Sequence, residues 1–292
     1  MKKVLLTGHR GFIGTYLDMN LTDEYKVVGY DLRCGQDIRD RRKLDQTFEM
    51  EQPDIVIHCA ALAGVRRGNT YPEDYISTNI VGTNNLIELS EKYDVSHFVN
   101  FSSSSVFGVS GYSHEPLNEN SHKAPRSIYG VTKLAGEHIV NNSKIPTTII
   151  RPFTVYGEHG RADQVIVKWI NAIKADKSFT MYKNKEGTPS RGFTYVGDLV
   201  DGIKRVIKRD LDTIHTSYNL GGDISVNLQD LLLLFQQVTR EKKKPYVVEM
   251  HPLPDTDQMG NQADTTKARN ELDWRALTPF DDKVLQILRT EL

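Results

Sequence analysis

The chain has 292 residues, close to the size at which one hydrophobic core stops growing, so two lobes are expected. Its 37 Lys and Arg residues balance 38 Asp and Glu residues, and the formal net charge of -1 excludes a general attraction to nucleic acids or anionic membranes. The apolar run at the N-terminus is too short for a signal peptide, and no stretch approaches the roughly 18 apolar residues of a membrane helix, so a soluble, cytoplasmic protein is expected.

The first half of the chain alternates short β-rich runs with segments of helical length. The predicted strands cover residues 3–7, 26–30, 55–59, 97–102 and 147–151. The predicted helices cover residues 12–21, 76–93, 129–142 and 164–175. This alternation is typical of βαβ units, so it predicts an α/β fold with a doubly wound parallel sheet, the Rossmann architecture.

The pattern changes after about Phe153, where loops lengthen and isolated strands are predicted at 179–182 and 246–250. A smaller, less regular C-terminal lobe fits this change. The predicted first lobe consists of residues 1–153 and about 193–215, and the predicted second lobe of residues 154–192 and 216–292.

A glycine-rich segment joins the first predicted strand to the first predicted helix. Gly8, Gly11 and Gly14 stand in a GxxGxxG pattern that includes Phe12 and Ile13. Glycines at such a turn allow the backbone to approach a pyrophosphate, and the helix N-terminus supplies N–H groups and partial positive charge. Because a strand precedes it and a helix follows it, the segment favours a dinucleotide site over an ordinary loop.

Asp31 ends the second predicted strand, where an acidic side chain can accept hydrogen bonds from an adenosine ribose. Its carboxylate repels a 2′-phosphate, so NAD is predicted; the nearby Arg33 keeps NADP as the alternative. Asp37 and Ile38 are expected either to flank the adenine or to form an ordinary surface turn.

Tyr129 and Lys133 lie four residues apart, on one face of a predicted helix. A tyrosine with a pKa of about 10 is a weak base at neutral pH, and a nearby cation lowers that pKa. A serine run, 102–105, follows the fourth predicted strand, where an open α/β sheet presents ligand groups. An amphipathic helix without a chemical role is the alternative for the Tyr–Lys pair taken alone, but with the serines the pair predicts oxidation of a hydroxyl-bearing carbon.

The two cysteines, Cys34 and Cys59, lie in different predicted elements and form no CxxC pair. This argues against a zinc site and against a disulfide framework, so no metal is predicted.

Together, Gly8xxGxxGly14, the serine run and Tyr129xxxLys133 resemble the extended short-chain dehydrogenase/reductase family of NAD-dependent sugar-nucleotide epimerases and dehydratases. The resemblance implies that Ser103 joins Tyr129 and Lys133 as a catalytic residue. It also implies cofactor contacts from Tyr129 and Lys133 themselves and from Ala60, Ala61, Ala63, Asn79 and Phe153.

Three later segments narrow the resemblance to UDP-glucuronate 4-epimerases. They are the AGVR segment that ends at Arg66, FTVYGEHGRAD at 153–163 and RGFTYVGD at 191–198. The substrate contacts that this resemblance implies are Arg66, Ser104, Ser105, Thr154, Arg161, Arg191 and Asp257.

The implied reaction inverts C4 of UDP-glucuronate through a 4-keto intermediate to give UDP-galacturonate, with hydroxyl donors holding the carboxylate. Leu62, Phe107 and Gly197 depart from the family pattern. They leave a neutral UDP-sugar 4-epimerase, acting on UDP-glucose or UDP-N-acetylglucosamine, as the main alternative. UDP-glucuronate decarboxylase and a non-catalytic NAD-sensing module are the further alternative functions. A homodimer through the helices near 84–93 and 129–142 is also implied.

Overall fold

The computed structural model describes residues 1–108, 115–209, 214–254 and 259–292. The strands are β1 (Lys3–Thr7), β2 (Lys26–Tyr30), β3 (Ile55–His58), β4 (His97–Phe101), β5 (Thr147–Pro152), β6 (Val155–Tyr156), β7 (Phe179–Lys183), β8 (Ser190–Gly192), β9 (Thr194–Tyr195), β10 (His215–Leu220), β11 (Ser225–Asn227) and β12 (Val248–Pro252). The helices are α1 (Phe12–Leu21), α2 (Arg41–Glu51), α3 (Val65–Thr70), α4 (Pro72–Ile76), α5 (Gly82–Lys92), α6 (Ile128–Asn141), α7 (Val165–Lys174), α8 (Val196–Lys208), α9 (Leu228–Glu241), α10 (Thr266–Leu272) and α11 (Phe280–Glu291).

Six parallel strands form the central sheet, in the order β10-β5-β4-β3-β1-β2. Helices α1 and α8 bury their apolar sides against one face of the sheet, and α2 and α5 bury theirs against the other. The predicted doubly wound α/β fold is therefore confirmed. Strand β1 lies between β2 and β3, so the connections that follow β1 and β2 run to opposite sides of β1. Such a switch point opens a crevice at the carboxyl ends of the strands.

Helix α2 was not predicted from the sequence. Asp40 caps it by accepting a 3.1 Å hydrogen bond from the N–H of Lys43, and only Leu44 and Phe48 are buried. Two buried apolar residues in eleven form too weak a helical hydrophobic pattern for the helix to be recognised from the sequence. The predicted helix 76–93 is also divided, because a π-helical turn, Ser77–Val81, precedes α5.

Strand β10 changes the expected boundary of the first lobe. The predicted return to the sheet ended at about residue 215, whereas residues 215–220 pair with β5 along its whole length. Since this pairing places Tyr218, Asn219 and Leu220 in the buried interior, we propose that the first lobe extends to Leu220.

A second apolar core lies beyond the sheet, where α7, α9 and α11 surround Trp169, Phe179 and Phe235. Strands β7 and β12 pair in parallel beside it. We propose that this part of the chain forms the smaller C-terminal lobe that the sequence predicts. Across the described ranges, no helix combines the length and apolar composition needed to cross a membrane.

Candidate active site

A cavity of about 400 Å³ lies at the carboxyl ends of the sheet strands, next to the glycine-rich turn. The predicted site residues that line it are Gly8, Gly11, Phe12, Ile13, Gly14, Ala61, Ala63, Ser103, Ser104, Ser105, Tyr129, Lys133, Phe153, Thr154, Arg161 and Arg191. The structure thus brings the predicted cofactor turn, the acid-base pair and five of the seven predicted substrate contacts into one space.

The glycine turn leaves no room for side chains. Gly8 adopts a φ of +72°, and a Cβ there would lie 2.7 Å from the backbone nitrogen of Ala60. A Cβ on Gly14 would lie 2.1 Å from the carbonyl oxygen of Gly8. Helix α1 begins directly after Gly11, so its N-terminal N–H groups face the turn. This cradle fits the diphosphate of a dinucleotide.

The Asp31 carboxylate is tied to the same turn. It accepts hydrogen bonds from the N–H of Arg10 at 3.0 Å and of Arg33 at 2.8 Å. The Arg33 guanidinium in turn donates to the carbonyl oxygen of Arg10 at 2.7 Å. Asp31 lies beside the cavity rather than in its wall, and this placement at the end of β2 supports NAD.

Four other predicted cofactor residues lie outside the cavity wall. Asp37 pairs with Arg39, which lowers the pKa of its carboxyl group, and the Ile38 side chain is buried against Gly82. Asn79 exchanges hydrogen bonds with the backbone of Leu62 at 2.8 and 3.0 Å and donates to Thr132 Oγ1. The fourth, Ala60, directs its N–H to Thr7 Oγ1. Asn79 and Ala60 therefore shape the loop that carries Ala61 and Ala63.

Tyr129 lies in the first turn of α6, which Ser127 caps by accepting the N–H of Gly130 at 3.1 Å. Its ring meets Tyr75 edge-on, with 6.4 Å between ring centroids. Burial raises the pKa of Tyr129, while the Arg161 cation and a hydrogen bond with Ser103 act to lower it. The sequence led us to expect a lowered pKa; in the structure desolvation outweighs the nearby charge.

Lys133 is buried one turn further along α6. Its Nζ donates a 2.7 Å hydrogen bond to the carbonyl oxygen of Phe101, and burial lowers the pKa of the ammonium to about 8. Arg161, rather than Lys133, is thus the cation whose charge acts on Tyr129.

A buried ion pair joins α6 to the neighbouring strand β5. Arg151 Nε and Nη2 each lie 2.8 Å from a carboxylate oxygen of Glu137, and Ser102 Oγ donates to Glu137 Oε1 at 2.5 Å. The pair fixes α6 to β5 and to the start of the serine run. It was not predicted, although Glu137 follows Lys133 by four residues and so continues its helix face.

The predicted substrate arginines all have partners within the chain. Arg161 makes a bidentate ion pair with Asp163, with both N–O distances at 2.9 Å. Arg191 donates to the carbonyl oxygen of Ser190. Arg66 lies outside the cavity wall; it donates to the hydroxyl of Tyr182 at 2.8 Å and covers that ring. Asp257 falls outside the described residues.

Several cavity residues were not predicted. Arg126, Asp163, Gln164 and Asn261 line the wall together with the predicted residues. Arg126 precedes Ser127, the cap of α6, so helical spacing from Tyr129 does not identify it. Asn261 has no local signal either, because its contact in the site, Ser104, is 157 positions away.

The fold and the cavity define a dinucleotide-binding α/β protein with a Tyr–Lys–Ser site. Residues 4–221 match the model of the NAD dependent epimerase/dehydratase family, and the chain belongs to that family. The predicted family and its NAD dependence are thereby confirmed.

Named relatives agree with this assignment. The chain is 30% identical to a UDP-glucuronate 4-epimerase of Thermodesulfobacterium geofontis, over 92% of this chain and 90% of the relative. It is 33% identical to a probable UDP-glucuronate 4-epimerase of Rhizobium meliloti, over 70% and 67% of the two chains. Among solved structures, the UDP-glucuronic acid 4-epimerase of Bacillus cereus, in complex with UDP-glucuronic acid and NAD, superposes with a TM-score of 0.89 at 27% identity, over 99% of this chain and 100% of that one.

Proposed function

We propose that the chain is a UDP-sugar 4-epimerase that converts UDP-glucuronate to UDP-galacturonate. The observation that carries the proposal is the cavity itself, which sets Tyr129 and Ser103 beside the hydroxyls of Ser104, Ser105 and Thr154. The names of the relatives support the reaction and the uronate substrate.

The glycine turn, Asp31 and Lys133 would hold NAD, which when bound accepts the hydride of C4 and later returns it. Tyr129 removes the proton of the sugar 4-hydroxyl while Ser103 orients that hydroxyl, so C4 becomes a ketone. The sugar then presents its other face, and Tyr129 gives the proton back to the same oxygen. Because burial keeps Tyr129 protonated near neutral pH, Ser103 and Arg161 are the chain's own groups that favour its anion.

A uronate substrate makes a further demand on the cavity. The 4-keto intermediate is a β-keto acid, and it loses carbon dioxide when the bond to the carboxylate aligns with the ketone π-system. Hydroxyl donors that hold the carboxylate out of that alignment protect it. Ser104, Ser105 and Thr154 supply such hydroxyls, and Arg161 supplies a cation.

A neutral UDP-sugar is the second candidate substrate. It is favoured by the ion pair of Arg161 with Asp163, because a cation that is already compensated by a carboxylate has less need of a second one. The two candidates differ in whether the cavity must bind a charged group at C5.

Incubation of the purified protein with UDP-glucuronate, UDP-glucose and UDP-N-acetylglucosamine in separate reactions tests the substrate. We expect UDP-galacturonate by chromatography and slower turnover of the other two sugars. UDP-xylose as the main product would establish a decarboxylase. Turnover of the neutral sugars alone would overturn the uronate assignment.

Tyr129→Phe tests the proposed base. The variant should retain bound NAD, because the ring and Lys133 remain, and should lose turnover by at least about a hundredfold. Tyr246→Phe is the matched control, since that ring stacks on Phe179 in the second lobe and leaves the cavity untouched. Equal turnover in the two variants would reject Tyr129 as the base, whereas a wild type that binds NAD but turns over none of the three UDP-sugars would favour a non-catalytic NAD-sensing module.

We further propose a homodimer that joins α5 and α6 of the two subunits. The two helices pack against each other; Val81, directly before α5, is 48% exposed, and Val131, within α6, is 47% exposed. Light scattering should give about twice the 33.2 kDa mass of the chain. A monomer at assay concentration would contradict the proposal. The cytoplasmic location stays a prediction.

A further inference from the structure

The side-chain amide of Asn261 reaches the serine run from the C-terminal lobe. Its Nδ2 lies 3.4 Å from Ser104 Oγ, and both residues line the cavity. Ser104 is 7% exposed and follows Ser103, the residue hydrogen-bonded to Tyr129. The contact therefore links a late segment of the chain to the hydroxyl next to the proton-transfer pair.

The orientation of this amide is fixed by the backbone of Gly192. The Gly192 N–H donates to the carbonyl oxygen of Asn261 at 2.7 Å and also faces its Oδ1 at 3.3 Å. Because a backbone N–H can only donate, the amide atom that faces it must be the oxygen. The NH2 group of Asn261 is then the end that faces Ser104.

This orientation fixes the direction of the Ser104 hydroxyl. An amide nitrogen donates and does not accept, so Ser104 Oγ is the acceptor and its own hydrogen must point elsewhere. Ser103 and Ser105 are occupied with each other, through Oγ–Oγ and N–Oγ distances of 3.1 Å. Among the described residues no acceptor takes the Ser104 hydrogen, which leaves it for a ligand in the cavity.

We propose that Asn261 is a positioning residue that makes Ser104 a hydrogen-bond donor toward the sugar carboxylate and thereby protects the 4-keto intermediate from decarboxylation. The inference rests on the proposed function. In the reaction that Asn261 opposes, the C5–C6 bond breaks and carbon dioxide leaves. The electron pair of that bond passes to C5 and the C4 oxygen, and C5 takes up a proton. The products are a UDP-linked 4-keto pentose and carbon dioxide.

Asn261→Asp tests the proposal because an ionised carboxylate can only accept. It would take the Ser104 hydrogen, turn the hydroxyl away from the substrate and add a negative charge near the sugar carboxylate. We expect kcat/KM for UDP-glucuronate to fall by at least about tenfold, while kcat/KM for UDP-glucose changes by less than about threefold. The decarboxylated fraction of the products should rise by at least about threefold. Asn261→Ala leaves the hydroxyl free to rotate and should raise this fraction less.

Gln262→Glu is the matched control. It makes the same change of charge on the next residue, whose amide donates to the carbonyl oxygen of Asp223 rather than toward Ser104. We expect its product ratio to equal that of the wild type. The decisive readout is the ratio of the decarboxylated product to UDP-galacturonate, because both form from the same 4-keto intermediate. A substitution that only disturbs the structure lowers turnover without changing this ratio.

Wild-type product analysis separates the two proposals. UDP-galacturonate from the wild type, with unchanged product ratios in both Asn261→Asp and Asn261→Ala, would overturn the role of Asn261 and leave the proposed function standing. If the wild type makes no UDP-galacturonate, the proposed function fails and the role of Asn261 fails with it. A raised ratio in Asn261→Ala supports the role even where Asn261→Asp does not fold.

Discussion

Lys133 Nζ lies 2.7 Å from the carbonyl oxygen of Phe101, the last residue of β4. The hydrogen bond ties the helix that carries Tyr129 to the strand that leads into the serine run. Because the ammonium is buried, its pKa is lowered to about 8, so its charge is present near neutral pH and disappears in mildly alkaline solution.

The pH dependence of turnover should report this group. Lys133 is a cation below its pKa, and we expect kcat to fall as the pH rises through about 8, since the charge that would hold the bound cofactor is lost. The rate at saturating substrate between about pH 6 and pH 10 measures this. A rate that stays constant through the upper half of that range would contradict the assignment.

Lys133→Met should separate activity from stability. The pKa falls from 10.5 to about 8 on folding, so the free energy of unfolding rises with pH between these values and the buried charge costs about 3 kcal/mol below pH 8. Removal of the charge at pH 7 should therefore raise the free energy of unfolding by about 1–3 kcal/mol and abolish turnover. Urea unfolding measures the first effect. The exposed substitution Lys144→Met should change neither quantity, and a less stable Lys133→Met would contradict the account.

Thr154→Ala and Ser105→Ala should each raise the decarboxylated share of the products from UDP-glucuronate, because each removes a hydroxyl from the cavity wall. Thr154→Ser keeps the hydroxyl and should leave the ratio near that of the wild type. Product ratios by chromatography, at equal extents of conversion, decide the matter. An unchanged ratio in both alanine variants would show that these hydroxyls do not restrain the carboxylate.

The buried Glu137–Arg151 pair should be a structural requirement. Arg151→Met leaves a buried carboxylate without its cation and should lower the free energy of unfolding by about 3–5 kcal/mol. The double variant Glu137→Leu/Arg151→Met should lose less, because no charge is left unpaired. Urea unfolding of the two proteins gives the comparison, and a double variant less stable than the single one would show that the charge itself is not the cause.

Much of the sheet could be predicted because its central strands are apolar and follow turns with clear signals. β1 and β2 agree with the predicted strands residue for residue. β10 could not be recognised, because its first residues, His215, Thr216 and Ser217, are polar and only partly buried at the edge of the sheet. Pairing with β5, rather than local sequence, makes this segment a strand.

The same distinction between local sequence and long-range contacts applies to the candidate site. Residue spacing within each segment was sufficient to predict Gly8 and Gly14 as cofactor residues and Tyr129 and Lys133 as the acid-base pair. All four line the cavity. Partners from distant segments were not predictable, as with Asn261 beside Ser104. Nor does the sequence show that burial outweighs charge at Tyr129, since desolvation depends on everything packed around the ring.

The central claim is that C4 is oxidised and then reduced by the same hydride within one active site. UDP-glucuronate that carries deuterium at C4 tests it most directly, with the product analysed by NMR and mass spectrometry. The account predicts UDP-galacturonate that retains the deuterium at C4, because the hydride never exchanges with solvent. UDP-galacturonate that has lost the deuterium, or labelled substrate recovered unchanged, would contradict it.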